Sequence, residues 1–357
     1  MTSPIKVLIV DDSAVVRRIL HQILSADPSI EVLGAAANPI EAREYILRQK
    51  PDVITLDLEM PKMDGLTFLR YVMKELPMRV VVMSSLTTAG SRYALEALRL
   101  GAVDVLAKPA TSDQLLRLGR DLIERVHAAA QARLFDRATT PHLASPPPRI
   151  QHSGEAPDPR QLILLGSSTG GIEALRAIIP YLPSNMPPIA IVQHIPAGFS
   201  RTFADRLNAD STLEVREATD DIKLRPGMVV IAPGGHHLTL RKSPGGWVTK
   251  LDDSPPVWHQ RPAVDVLFRS VARTGNLPHV LAGVLTGMGH DGADGLLALR
   301  QAGAQTFAQD EATSVVYGMP RVAFEQGGAQ IQLPLPKIAS HIASVLLRNS
   351  LRCADSR

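Results

Sequence analysis

The sequence predicts an α/β chain: two doubly wound parallel-sheet domains joined by a proline-rich linker. Three observations predict it. Short apolar runs alternate with amphipathic helical stretches twice along the 357 residues, once before about residue 126 and again after about residue 161. Between the two series, segment 139–160 carries six prolines, including Pro146-Pro147-Pro148, and almost no periodic apolar pattern. That composition favours an extended, semi-rigid spacer. Finally, polar residues able to do chemistry fall where apolar runs end, and parallel sheets bind ligands at the carboxyl ends of their strands.

In the first series, strands are predicted at 5–10, 32–35, 53–56, 80–83 and 103–106, and helices at 14–24, 40–49, 65–75, 91–100 and 112–126. Asp11 and Asp12 follow the first strand, Asp57 the third and Ser84 the fourth, and Lys108-Pro109 closes the fifth. Three carboxylates packed together repel one another, and a hard divalent cation such as Mg²⁺ relieves the repulsion. A lysine and a hydroxyl beside them suit a phosphoryl group. A single acid at a strand end is usually a solvated turn residue; five polar groups at matching ends are better explained as one site.

The domain boundaries expected are 1–126 for the first domain, 127–160 for an alanine-rich helix extension (127–138) and the linker, 161–348 for the second domain, and 349–357 for a tail.

The second series has strands predicted at 161–165, 189–192, 228–232 and 280–286, a hairpin over 238–241 and 247–251, and helices at 172–179, 199–208, 264–273 and 294–302. Its first strand runs into Gly166-Ser-Ser-Thr-Gly-Gly171, and Gly166 to Gly170 match G-x-S-x-G. Glycines on both sides permit a sharp turn that lifts a hydroxyl to the tip of the strand. The helix start beyond supplies free N–H groups for a developing oxyanion. The plainer reading is a glycine-rich turn or a phosphate cradle, but the stretch lacks the lysine of a Walker loop and the G-x-G-x-x-G spacing of a dinucleotide site. Ser168 holds the central position, with Ser167 as its neighbour. His194 and Asp291 share its position type, each at or just beyond a predicted strand end. A hydroxyl, an imidazole and a carboxylate are the groups nucleophilic catalysis requires. The order Ser, His, Asp differs from the Ser, Asp, His of α/β-hydrolases. His290 is an alternative base, read as an exposed neighbour of Asp291. His236-His237 lack metal-ligand spacing and read as surface-loop residues.

Composition narrows the class. The chain is 45% apolar and 20% charged, with a net charge of +3, and has no 18-residue apolar run that would suggest a membrane span. Only 4% of residues are aromatic and no basic stripe stands out, so no nucleic-acid partner is expected. The N-terminus enters a strand directly, without an export signal, and Cys353 is the single cysteine. Both suit a cytoplasmic protein.

Residues 1–126 resemble the receiver domain of bacterial response regulators through VDDSAVVRR, TLDLEMPKMDG, VVVMSS and AKP. The resemblance implies that Asp57 accepts phosphate from a histidine kinase. It also implies that Asp11, Asp12 and Asp57 bind Mg²⁺ with the carbonyl of Glu59, and that Ser84 and Lys108 contact the phosphoryl group. Val105 stands where many receivers carry an aromatic switch residue. The second half resembles the catalytic domain of chemotaxis protein-glutamate methylesterases through GSSTGGIEAL, VQHIPAGF, VIAPGGHHL, RPAVDVLFRS and VLTGMGHDGADGL. That resemblance implies Ser168 as nucleophile, His194 as base and then acid, Asp291 as orienting carboxylate, the Met288 N–H in the oxyanion hole, and Thr169 beside the nucleophile. It further implies γ-methyl-glutamate residues of chemoreceptors as substrate, glutamine deamidation as a related activity, and no organic cofactor. The receiver is expected to block the catalytic site until Asp57 is phosphorylated.

Overall fold

A computed structural model of the chain describes residues 3–60, 64–85, 87–108, 112–134 and 157–354. The chain divides into two units, Met1–Leu134 and Phe135–Arg357. Pro109 and most of the proline-rich segment, 135–156, lie outside the described residues, as does 355–357.

The first unit alternates β1 (Ile5–Val10), α1 (Ala14–Ser25), β2 (Ile30–Ala36), α2 (Pro39–Gln49), β3 (Val53–Asp57), α3 (Gly65–Glu75), β4 (Arg79–Ser84), α4 (Thr88–Leu100), β5 (Asp104–Ala107) and α5 (Ser112–Gln131). All pairings are parallel, in the order β2-β1-β3-β4-β5. The helix starts carry side-chain caps where the sequence supplies them: Ser13, Asn38, Asp64 and Thr87 each accept a first-turn N–H. The strand order reverses between β1 and β3, and a crevice opens there at the carboxyl ends. Asp11 and Asp12 follow one of those strands and Asp57 ends the other. The alanine-rich stretch extends α5 only to Gln131, short of residue 138.

The second unit holds β6 (Leu162–Ser167), α6 (Gly171–Arg176), β7 (Ile189–Gln193), α7 (Phe199–Asp210), β8 (Glu214–Glu217), β9 (Met228–Ile231), the hairpin β10 (His237–Ser243) and β11 (Gly246–Asp252), α8 (Val264–Ala272), β12 (Val280–Val284), α9 (Ala293–Gln301), β13 (Gln305–Gln309), α10 (Met319–Glu325), β14 (Ile331–Leu333) and α11 (Leu335–Ala354). Seven strands form one parallel sheet, β14-β13-β12-β6-β7-β9-β8. β6, β7 and β12 are buried along their whole length, which is why they read as unbroken apolar runs. β6 is first in sequence yet central in space, so the order reverses beside it. The loops after β6, β7 and β12 therefore share one crevice.

Periodicity missed β8, β13, β14, α10 and α11. β8 and β14 are short edge strands, and β13 is bounded by glutamines at both ends. Helix α11 crosses the expected boundary at 348 and runs to Ala354. His237 does not lie on a surface loop: it is buried at the start of β10. Its Nδ1 accepts the Ala263 N–H at 3.1 Å and its Nε2–H donates to the Pro255 carbonyl at 3.2 Å. It thus fastens the hairpin to the start of α8.

Candidate functional site

The turn after β6 is built around two adjacent serines with different surroundings. Ser167, fully buried, donates its hydroxyl to Gln193 Oε1 at 2.6 Å. Ser168 is half-buried, and no hydrogen bond among the described residues engages its Oγ. Its backbone is held instead: the N–H donates to Thr286 O at 3.0 Å, and the carbonyl accepts from Gly171 N at 2.7 Å. Gln193 Nε2 also donates to Ser168 O, at 2.9 Å, and to His194 O at 3.1 Å. One buried carboxamide thereby joins the serine turn to the end of β7, where His194 begins. Two glycines make this approach possible. A Cβ on Gly171 would collide with Gln193 Oε1, and one on Gly287 would lie 2.7 Å from Ser168 Cβ.

His194 is 5% exposed, and its Nε2 lies 2.7 Å from Asp291 Oδ2. With Nε2–H donating to the carboxylate, the neutral ring presents Nδ1 as its basic nitrogen. Asp291 is held in turn by the start of α8: Val264 N–H donates to Oδ2 at 2.7 Å and Asp265 N–H to Oδ1 at 2.9 Å. A helix N-terminus favours negative charge there. Asp265 is buried next door, accepting Trp258 Nε1–H and Gly295 N–H. Burial, then the Asp291 charge, pushes its carboxyl above the usual carboxylate range.

Met288 is half-buried on the loop after β12, and its N–H has no backbone acceptor among the described residues. The neighbouring Gly287 is pinned through its N–H to Val316 O and through its carbonyl to the N–H groups of Gly318 and Met319. Thr169 is buried, and its carbonyl accepts the Thr286 hydroxyl. His290 is exposed and packs edge-on against Trp258. His236 pairs with Asp253 at the surface.

In the first unit, Asp11, Asp12 and Asp57 each offer an oxygen within 4.8 Å of the others. Lys108 Nζ lies 2.7 Å from Asp57 Oδ2 and 3.3 Å from Asp11 Oδ2. Those two oxygens are buried and receive no well-aligned hydrogen bond. An all-oxygen donor set with buried lone pairs of this kind fits a hard divalent cation. Burial pushes Asp11 above the usual carboxylate range against the pull of Lys108, and the Asp57 charge adds to the push. Burial also opposes the Lys108 charge, but its pairing with Asp57 and Asp11 outweighs this and raises its pKa. Glu59 N–H donates to Asp57 Oδ1 at 2.8 Å, while its carboxylate accepts the Ser85 hydroxyl at 2.6 Å. Ser84 Oγ donates to Gly90 O at 2.9 Å and so is turned away from Asp57 towards the start of α4. Val105 is buried in β5.

Reading the sequence missed the supports of the serine site: Gln193, Gln309, Thr286 and Asp265. Gln309 resembles Gln193 in its role, with Oε1 accepting Thr286 N–H and Nε2 donating to Thr313 O. The available signal was a carboxamide closing an otherwise buried strand, as in IAIVQ and QTFAQ.

Comparison with known proteins places these sites in a family setting. Residues 163–342 match the family model of the CheB methylesterase, and residues 7–119 that of the response regulator receiver domain. A protein-glutamate methylesterase/protein-glutamine glutaminase of Xanthomonas campestris is 46% identical over 354 residues, covering 97% of this chain and 98% of its own. One from Pseudomonas aeruginosa is 47% identical over 339 residues, covering 94% of this chain and 95% of its own. The crystal structure of the Thermotoga maritima CheB methylesterase catalytic domain aligns with a TM-score of 0.50 at 41% identity, covering 52% of this chain and 98% of that domain.

Proposed function

The chain belongs to the CheB methylesterase family, and on that premise we propose that it hydrolyses γ-methyl esters of glutamate residues in methyl-accepting chemoreceptors under the control of its receiver. Ser168 Oγ attacks the ester carbonyl while His194 Nδ1 takes its proton. Asp291 holds the ring and stabilises the imidazolium. The Met288 N–H receives the oxyanion, with Thr169 lining the nucleophile turn. The imidazolium returns its proton to the departing methanol, and water then repeats the sequence on the acyl-enzyme to release free glutamate. A glutamine side chain presents the same carbonyl with ammonia as leaving group, so deamidation of receptor glutamines is within reach of the same groups.

The receiver supplies the control. A histidine kinase donates the phosphoryl group, Asp57 accepts it, and esterase turnover rises. Asp11, Asp12, Asp57 and the Glu59 carbonyl would hold Mg²⁺, which would supply charge neutralisation there. Lys108 contributes a second cation, and Ser84 a hydroxyl once it leaves Gly90. The setting is the cytoplasm, where kinase and receptor signalling domains are reached without insertion in the membrane; no described helix is long and apolar enough to cross one.

The observation that carries the reading is the buried His194–Asp291 pair at 2.7 Å, whose carboxylate is fixed by two helix-start N–H groups beside the Ser168 turn. Methanol release from methylated receptor tests it. Ser168→Ala should cost on the order of 10⁶ in kcat. Ser167→Ala, which removes only a hydrogen bond to Gln193, should cost far less. Comparable losses in both would sink the assignment of the nucleophile.

A further inference from the structure

The segment between β11 and α8 ends in a turn whose tip carries the wrong residues for its shape. Val257 and Gln260 exchange both backbone hydrogen bonds, at 3.1 and 2.9 Å, with Trp258 and His259 between them. Both central residues have positive φ, 51° and 62°. Turns with this pair of φ values prefer Asn-Gly, because a bulky side chain there is strained. Such strain persists where the surroundings hold it in place, and it clusters at ligand clamps and active sites.

What holds it is visible. Trp258 Nε1–H donates to Asp265 Oδ2 at 2.9 Å, which satisfies the indole's only donor. The His290 ring meets the indole edge-on, with centroids 4.0 Å apart. His290 lies two residues after Met288 and directly before Asp291, on the loop that carries the oxyanion N–H. Yet Trp258 remains 45% exposed as a residue, and with its N–H used internally the indole has no free donor to offer. An exposed, oriented aromatic fixed to a reactive loop has the character of an anchor for a binding partner.

We infer that Trp258, edged by His290, is a docking shelf for the stretch of substrate polypeptide that flanks the esterified glutamate. The inference rests on the methylesterase reading above. An ester borne on a protein cannot reach Ser168 without laying its flanking residues beside the site, and this shelf packs on His290, the residue directly before Asp291. A small free ester has no flanking residues to place there.

The test compares kcat/KM of the full chain for methylated receptor with that for p-nitrophenyl acetate, in wild type, Trp258→Ala, Trp258→Phe and His290→Ala. Trp258→Ala should lower the receptor-to-small-ester ratio about tenfold or more, mainly through KM, as loss of an interface anchor does. Trp258→Phe keeps an aromatic face without the N–H and should stay within about threefold of the wild-type ratio. His290→Ala should fall between them. Equal losses on both substrates, with Phe as damaging as Ala, would overturn the shelf: the indole would then act only through Asp265 on Asp291. An unchanged receptor KM in Trp258→Ala overturns it as well. No methanol release by the wild-type chain would sink the methylesterase reading, and the shelf with it; release with an unaltered ratio sinks the shelf alone.

Discussion

Both units place their reactive groups at the carboxyl ends of parallel strands, beside the point where strand order reverses, but they finish the job differently. In the serine site the groups that hold the turn, the imidazole and the carboxylate are already matched, and the Ser168 hydroxyl alone is left without a hydrogen bond among these residues. Asp291 receives two backbone N–H groups and His194, and Gln193 ties three partners together. The acidic pocket is unfinished. Three carboxylates face one lysine, two of their oxygens are buried without aligned donors, and the Ser84 hydroxyl is turned to Gly90. A matched constellation can act as soon as substrate arrives. An unmatched one has two arrangements, and the ions that complete it select between them. The same fold principle thus yields a tool in one unit and a switch in the other.

The first way to break this contrast is to damage the tool. Asp291→Asn should lower kcat by about 10³–10⁴, because an amide favours the wrong imidazole tautomer, and should cost about 1–3 kcal/mol of stability, because its NH2 must face a buried N–H of Val264 or Asp265. Near-normal methanol release by Asp291→Asn would show that the constellation is not matched as described. Gln193→Ala tests whether the support matters as well as the reacting groups. Freeing the serine turn from the end of β7 should cost about 10²-fold in kcat, the scale of an ångström-sized misplacement. Gln193→Glu should be no better, since a carboxylate would face the carbonyls of Ser168 and His194. Full activity in either variant would mean the backbone alone holds the turn.

The switch should respond differently. Asp57→Asn should keep the turnover seen without a phosphodonor and lose the rise produced by one, a rise of about 5–150-fold for ordinary coupling energies. Chelating Mg²⁺ should abolish the same rise in the wild type. If Asp57→Asn slows the enzyme with no phosphodonor present, the pocket is not an independent switch.

The smallest expected effect concerns His237. Burial holds its pKa below the ordinary value, so the folded protein keeps it neutral. The unfolded chain takes up the proton near pH 6.5. Its stabilising contribution is therefore complete above about pH 6.5 and is lost as pH falls toward the lower folded value, with a slope of at most about 1.4 kcal/mol per pH unit. Thermal unfolding of the wild type and of His237→Gln between pH 5 and 7 should show a steeper acid loss in the wild type. Parallel curves would show that the imidazole does not titrate on unfolding.

The sequence announced the parts of each site that sit on strong local patterns. Asp11, Asp57, Ser168 and His194 each follow or end a buried apolar strand, so periodicity located them. Asp291 lies several residues beyond β12 in a glycine-rich loop, and only its company pointed to it. What stayed hidden depends on contacts between distant segments. Gln193 and Gln309 act through bonds to other loops, and nothing in a lone glutamine says which carbonyl it will meet. His237 looked like a surface histidine because its partners, Ala263 and Pro255, are brought to it by the fold. The edge strands β8 and β14 were too short for their pattern to stand out.

The central place of β6 bears on the synthesis of the protein. The strand that presents Ser168 is the first of its sheet to leave the ribosome, and its neighbour β7 follows soon after. Its other neighbour, β12, is made much later, Ile163 pairing with Leu281. A nascent chain thus contains Ser168 and His194 while Thr286, whose carbonyl accepts the Ser168 N–H, Asp291 and the Met288 loop have yet to be translated. An interrupted or truncated product that stops before β12 therefore carries Ser168 and His194 without Asp291, the carboxylate that holds the imidazole.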